Sequence, residues 1–127
     1  MYFFDLSQTE EHVAPQPDTR YVKVVFDAAA IPDAHVSMGW FRFNPGQKGP
    51  RHVHDKEVEV YYCLHGQGEV VVEGRKFVMR PDTALYIPPR HHHETRNPYA
   101  EDFVFLGIFG PAVDLGNMRA WPLAKAE

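Results

Sequence analysis

Cysteine is almost absent from this chain, which carries a single one, Cys63, among 127 residues. One thiol cannot close an internal disulfide, so the fold must rest on its apolar core and its hydrogen bonds; a reducing, cytoplasmic setting is the expectation. Positive charge is also scarce. The 13 Lys and Arg against 17 Asp and Glu leave a formal net charge of −4, which offers nucleic acid no broad basic surface. No apolar run approaches bilayer-spanning length, and the start MYFFDLSQTEEH has no basic region ahead of its apolar residues. Neither a membrane partner nor a signal peptide is expected. Long amphipathic helices, linkers, low-complexity tracts and repeats are missing too, and AKAE at the C-terminus reads as a frayed turn.

What the chain does have is apolar and aromatic material in short runs. With 44% apolar and 13% aromatic residues it holds enough to build one core, so residues 1–127 are expected to form a single domain. Apolar or β-branched runs at 21–26, 36–43, 58–64, 69–72, 76–79, 84–87 and 103–109 predict strands. Between them lie Asn44-Pro45-Gly46, His65-Gly66-Gln67-Gly68, Glu73-Gly74, Arg80-Pro81-Asp82 and Arg96-Asn97-Pro98, all of which favour reversals. Many short strands at this spacing predict an all-β sandwich or barrel, with edges removed by closure or by a partner subunit.

Histidine and glutamate carry the chemistry. In GPRHVHDKEVEVYY a strand would turn His52 and His54 to one face, where both imidazoles can meet one ion. Glu59 is out of phase with them, so a break over Asp55-Lys56-Glu57 must precede it. A further histidine comes from IPPRHHHETRN, after the rigid Pro88-Pro89 corner; His91 and His93 share parity and His92 does not. Imidazoles with one carboxylate suit one divalent transition metal ion (iron, manganese, nickel, copper or zinc) rather than calcium or magnesium. Four protein ligands on an octahedral ion leave two positions for a substrate or dioxygen.

These residues resemble the cupin superfamily. Its first motif matches at Gly46, His52, His54, Glu59 and Gly66, and its second at Pro88, His93 and Asn97. Asp82 and Arg90 stand where that second motif usually has glycine, so the turn before His93 is expected to differ from the common form. The resemblance spans about Phe41 to Pro111. It implies a small single-domain cupin: a double-stranded β-helix, or jelly-roll barrel, with a core over about 36–111, and a metal held by His52, His54, Glu59 and His93. Residues 1–35 are expected to pack as strands, on a partner subunit if they cross over.

Around that set, phase along the strand places Glu59, Tyr61 and Cys63 on one face. Tyr61 is a candidate to orient a substrate or a ligand, although packing is the commoner role of a strand tyrosine; Cys63 reads as a buried, inert thiol. His91 and His92 are candidate acid or base groups at the cavity mouth. Arg42 and Arg90 are candidates to hold an anionic substrate, with Arg42 more commonly solvated outward. Met38, Trp40, Phe41, Phe43, Phe77, Met79 and Phe105 are candidates for an apolar wall, and His12, His35 and His65 are expected in solvent. The leading functional expectation is a metal-dependent oxidoreductase of dioxygenase type on a small oxygen-rich molecule. The alternatives are a non-redox isomerase or lyase, and a non-catalytic binder of a sugar or carboxylate. A twofold homodimer is expected, through strands added by YFFDL and Tyr21 to Phe26.

Overall fold

Alternation of buried and exposed side chains, set by the two-residue strand period, organises the molecule into two antiparallel layers. The structure, a computed structural model, describes residues 1–124; the AKAE turn falls almost wholly outside them. Its strands are β1 (His12–Val13), β2 (Tyr21–Phe26), β3 (Ser37–Phe43), β4 (Val58–His65), β5 (Gly68–Val72), β6 (Arg75–Met79), β7 (Ala84–Ile87), β8 (His93–Arg96) and β9 (Phe103–Gly110), followed by a one-turn helix α1 (Gly116–Arg119). One sheet has the order β1-β2-β3-β9-β4-β7 and the other β6-β5-β8. Each predicted strand is present within about two residues. The strand β8 was not expected, because His-Glu-Thr-Arg lacks the apolar content that signals a strand.

In β3 and β9 alternate residues point inward, which puts Phe41, Phe43, Phe103, Phe105 and Phe109 in the core. Their rings stack with Tyr61, at centroid separations of 4.4 Å for Tyr61 with Phe105 and 5.2 Å for Phe41 with Phe105. Glycine makes this possible at one place. Gly39 and Gly107 are paired across β3 and β9, and a Cβ on either would lie within 2.8 Å of the Phe41 ring. The bare backbone is therefore what lets that ring fold back over the sheet.

Within its own chain the N-terminal segment is not a run of strands. YFFDL forms no strand; the chain there runs into a single 3-10 turn, Leu6–Gln8, capped at its start by the Asp5 side chain, which accepts from the Ser7 amide. Tyr21–Phe26 pairs along one side with β3, and on its other side only Tyr21 and Val22 are covered, by β1. His12 is likewise not in open solvent: it is half-buried, and its Nδ1 donates to the Trp121 carbonyl.

After β9 the chain folds back across one end of the barrel as a strap, residues 113–121. Its anchor is the fully buried Asp27, whose carboxylate accepts from the Leu115 amide at 2.7 Å, from the Ala30 amide at 3.1 Å and from the Arg119 guanidinium. Burial opposes the Asp27 charge, yet these donors hold its carboxyl below the usual carboxylate range. The strap is thus fixed by a charged contact, and it roofs the cavity described next.

Candidate metal centre

The segment 46–54 is not the regular strand the H-x-H pattern suggested. It runs beside β8 through backbone hydrogen bonds and meets it at a two-way bridge in which His52 and His93 exchange amide–carbonyl bonds of 2.9 Å each. That bridge sets the two rings against each other, with centroids 4.1 Å apart, and His54 follows at 5.0 Å from His52. The bend at Asp55-Lys56 then breaks the phase, as Glu59 required, and β4 turns Glu59, Tyr61 and Cys63 inward.

One ligand atom from each of His52, His54, Glu59 and His93 lies within 4.8 Å of the other three. Three ring nitrogens converge on one oxygen: Glu59 Oε1 is 3.1 Å from His93 Nε2, 3.2 Å from His54 Nε2 and 3.9 Å from His52 Nε2. The tautomers are fixed on two of the rings. His52 Nδ1 donates to the Pro50 carbonyl and His93 Nδ1 to the His91 carbonyl, each at 3.0 Å, so in the neutral rings Nε2 carries the lone pair. Lone pairs facing a buried carboxylate repel unless a cation lies among them. The donor set therefore fits a divalent transition metal. Without such an ion protons must serve: burial would raise the Glu59 carboxyl, but the three histidines hold it far below its ordinary value of 4.5. His52 is moved upward in turn, its hydrogen bonds to Glu59 and to Pro50 outweighing the opposing effect of burial.

A cavity of about 330 Å³ opens from this cluster. Phe41, Phe43, Phe105 and Phe109 wall it, Leu115 and Met118 of the strap roof it, and Arg20, Tyr61 and Thr95 bring polar groups into it. Of the expected wall, Trp40 and Met38 instead point to the outer face of β3, and Phe77 lines a different hollow. Tyr61 is buried and its hydroxyl lies 2.8 Å from Thr95 Oγ1. Burial, and then the Glu59 charge, push the Tyr61 hydroxyl well above its ordinary range, so it stays protonated. Cys63 is fully buried beneath, its thiol raised chiefly by burial.

Four candidates fall outside the cavity. Arg42 alternates with the inward Phe41 and Phe43, so it faces outward, where it pairs with Glu11 at 3.1 Å and lies over the Tyr21 ring. Arg90 is exposed and reaches the Asp55 carbonyl. Its backbone nevertheless adopts φ +61, as Asp82 adopts +68, so the turn before His93 keeps the left-handed form that glycine would favour. The Arg90 amide donates to the His54 carbonyl at 2.7 Å and so ties the two histidine segments together. His91 lines a separate hollow with Phe77 and Tyr86, and exposed His92 faces Glu73. The reason is local: parity applies only within a strand, and β8 begins at His93.

Sequence reasoning missed Arg20 and Thr95. Thr95 had a signal in strand phase, two residues after His93 within β8, whereas Arg20 precedes β2 and had none.

Two antiparallel sheets enclosing a cavity, with three histidines and a glutamate gathered in a cluster suited to one metal ion, define a class of β-barrel proteins. This chain belongs to the cupin family: residues 39–109 match the cupin domain. It is 30% identical over 125 residues to a glucose-6-phosphate isomerase of Pyrococcus abyssi, covering 85% of this chain and 64% of that protein. It is 31% identical over 104 residues to the polyketide synthase CurC of Streptomyces cyaneus, covering 71% of this chain and 68% of that one. The chain spans less than two thirds of the length of the Pyrococcus and Thermococcus isomerases it matches. Among solved structures, a predicted oxalate decarboxylase of Thermotoga maritima superposes with a TM-score of 0.79 at 16% identity, covering 87% of this chain and 99% of that one. At that identity the likeness concerns the fold, which is the all-β cupin barrel.

Proposed function

We propose that this protein is a metal-dependent enzyme that moves protons rather than electrons, isomerising or eliminating from a small oxygen-rich molecule. The observation that carries this reading is the convergence of three imidazoles on Glu59 Oε1 beside a cavity that also holds a neutral, buried tyrosine hydroxyl. His52, His54, Glu59 and His93 would hold the ion, which supplies Lewis-acid stabilisation of negative charge on a substrate oxygen. Tyr61 keeps a proton at Oη in hydrogen-bond contact with Thr95, and so can orient a substrate oxygen or share a proton with it. The phenylalanine wall excludes water from the reacting group. This favours the non-redox alternative over the dioxygenase expectation, and the isomerase name among the relatives supports the same choice.

The test is turnover by metal-loaded protein on a panel of sugar phosphates and hydroxy acids, followed by NMR under nitrogen and by an oxygen electrode in air. Product formation without oxygen uptake, abolished by a chelator and restored by metal, is the expected result. Oxygen consumed in proportion to product would return the assignment to a dioxygenase. Tight ligand binding without turnover would make the protein a binding module.

We further propose that the chain associates as a twofold dimer through an aromatic patch rather than through strand addition. Phe3 is 92% exposed and Tyr2 61% exposed, beside Phe4, which stacks on Phe26 at 5.5 Å. Deleting residues 1–4 should lower the mass measured by light scattering from dimer to monomer. A full-length chain that is monomeric at high micromolar concentration would contradict it.

A further inference from the structure

Among the described residues, Arg20 is the one arginine that lines the cavity. Its guanidinium is held from two sides, by the Trp121 ring at 5.0 Å and by a 2.7 Å hydrogen bond from Nη1 to the Asp18 carbonyl. Neither contact neutralises it. Arg42, Arg96 and Arg119 all pair with carboxylates, whereas Arg20 makes no ion pair among the described residues. Burial presses on its charge strongly enough to lower its proton affinity. A half-buried, immobilised guanidinium without an ion pair in an aromatic-walled cavity costs desolvation that the nearby Asp18 charge offsets only in part, and one fork of donors remains for an incoming acceptor.

The other charges facing the cavity do not supply that acceptor. Glu59 is engaged by three histidines, and Asp114 is 66% exposed at the rim, where it accepts from the Gly116 amide at 2.7 Å and faces Arg119 at 4.0 Å. A divalent ion offset by Glu59 would leave the interior positive even before Arg20 is counted. We infer that Arg20 is the specificity-determining residue for an anionic group, carboxylate or phosphate, on a substrate whose other oxygen lies toward the histidine cluster. This rests on the metal-enzyme reading above for its second half, but the anion site stands on Arg20 alone.

The experiment uses the full-length, metal-loaded chain and three probes in calorimetric titration: glycolate, inorganic phosphate and neutral glycerol. The wild type should bind one of the two anions more tightly than glycerol, and the tighter one identifies the source of the negative charge. Arg20→Met should weaken that anion by about tenfold or more, the scale of a charge-assisted bidentate contact. Arg20→Lys should recover part of the loss. Metal content and glycerol binding should stay unchanged in both variants, which a general loosening of the Trp121 contact would not allow. Unaltered anion affinity in Arg20→Met, or a wild type that prefers neither anion to glycerol, would overturn the inference. The two readings fail separately: a chain that takes up no metal yet binds anion through Arg20 sinks only the metal enzyme, and a metal-loaded chain indifferent to Arg20 sinks only the anion site.

Discussion

His93→Ala should purify with its metal largely gone, while His91→Ala should keep a full complement. The two residues share parity and stand two apart, so sequence alone barely separates them. The fold does, because β8 starts at His93 and buries it to 1% exposure against Glu59, whereas His91 turns into another hollow. Loss of a residue that merely supports a ligand typically weakens metal binding about 10–100-fold, and loss of a ligand at least as much. His52→Ala, His54→Ala and Glu59→Ala should behave like His93→Ala, and His65→Ala like His91→Ala, since His65 is exposed and faces Glu101. Elemental analysis of dialysed protein reads the result. Metal retained in His93→Ala and lost in His91→Ala would mean that the other member of the tract is the ligand.

Legibility followed burial. Runs such as YVKVVF and FVFLGIF were readable as strands because both their β-branched content and their alternation agree with the layers they join. The strand β8 was not, since it is a polar strand kept in place by its ladder with β5, by the His52–His93 bridge and by Asn97, whose amide donates to the Phe43 and Glu101 carbonyls. Its inward residues, His93 and Thr95, are buried by the site and not by hydrophobicity. The ligands themselves were readable from spacing, while the groups around them were not. Arg42 and Arg90 were nearer in sequence to the motifs but point elsewhere. Arg20 stands one residue before β2, and its side chain is placed at the cavity by contacts with the Asp18 carbonyl and the Trp121 ring, a relation between distant segments that no local pattern carries.

Metal-loaded and chelator-stripped protein should respond to pH in opposite senses across the histidine range. In the stripped protein, His52 has a raised folded-state value, so its contribution to stability is complete below the unfolded value of about 6.5 and is lost as pH rises through the folded one. Glu59, lowered in the fold, contributes above its ordinary 4.5 and loses that contribution only in stronger acid, so it stays constant across this window. The His52 ring is 37% exposed, and solvent screening keeps its share small, below about 1 kcal/mol. A bound metal reverses the sign. It needs the imidazole lone pairs, so protons compete with it and its stabilisation grows as pH rises from about 5.5 to 8. At a free concentration of a hundred times Kd, that stabilisation is about 2.7 kcal/mol, or about 10 °C in Tm for a chain of this size. Every other titrating group is common to both forms, so the difference between their melting temperatures isolates the site. That difference should widen with pH; a gap that stays constant from pH 5.5 to 8 would show that the histidines do not hold the ion.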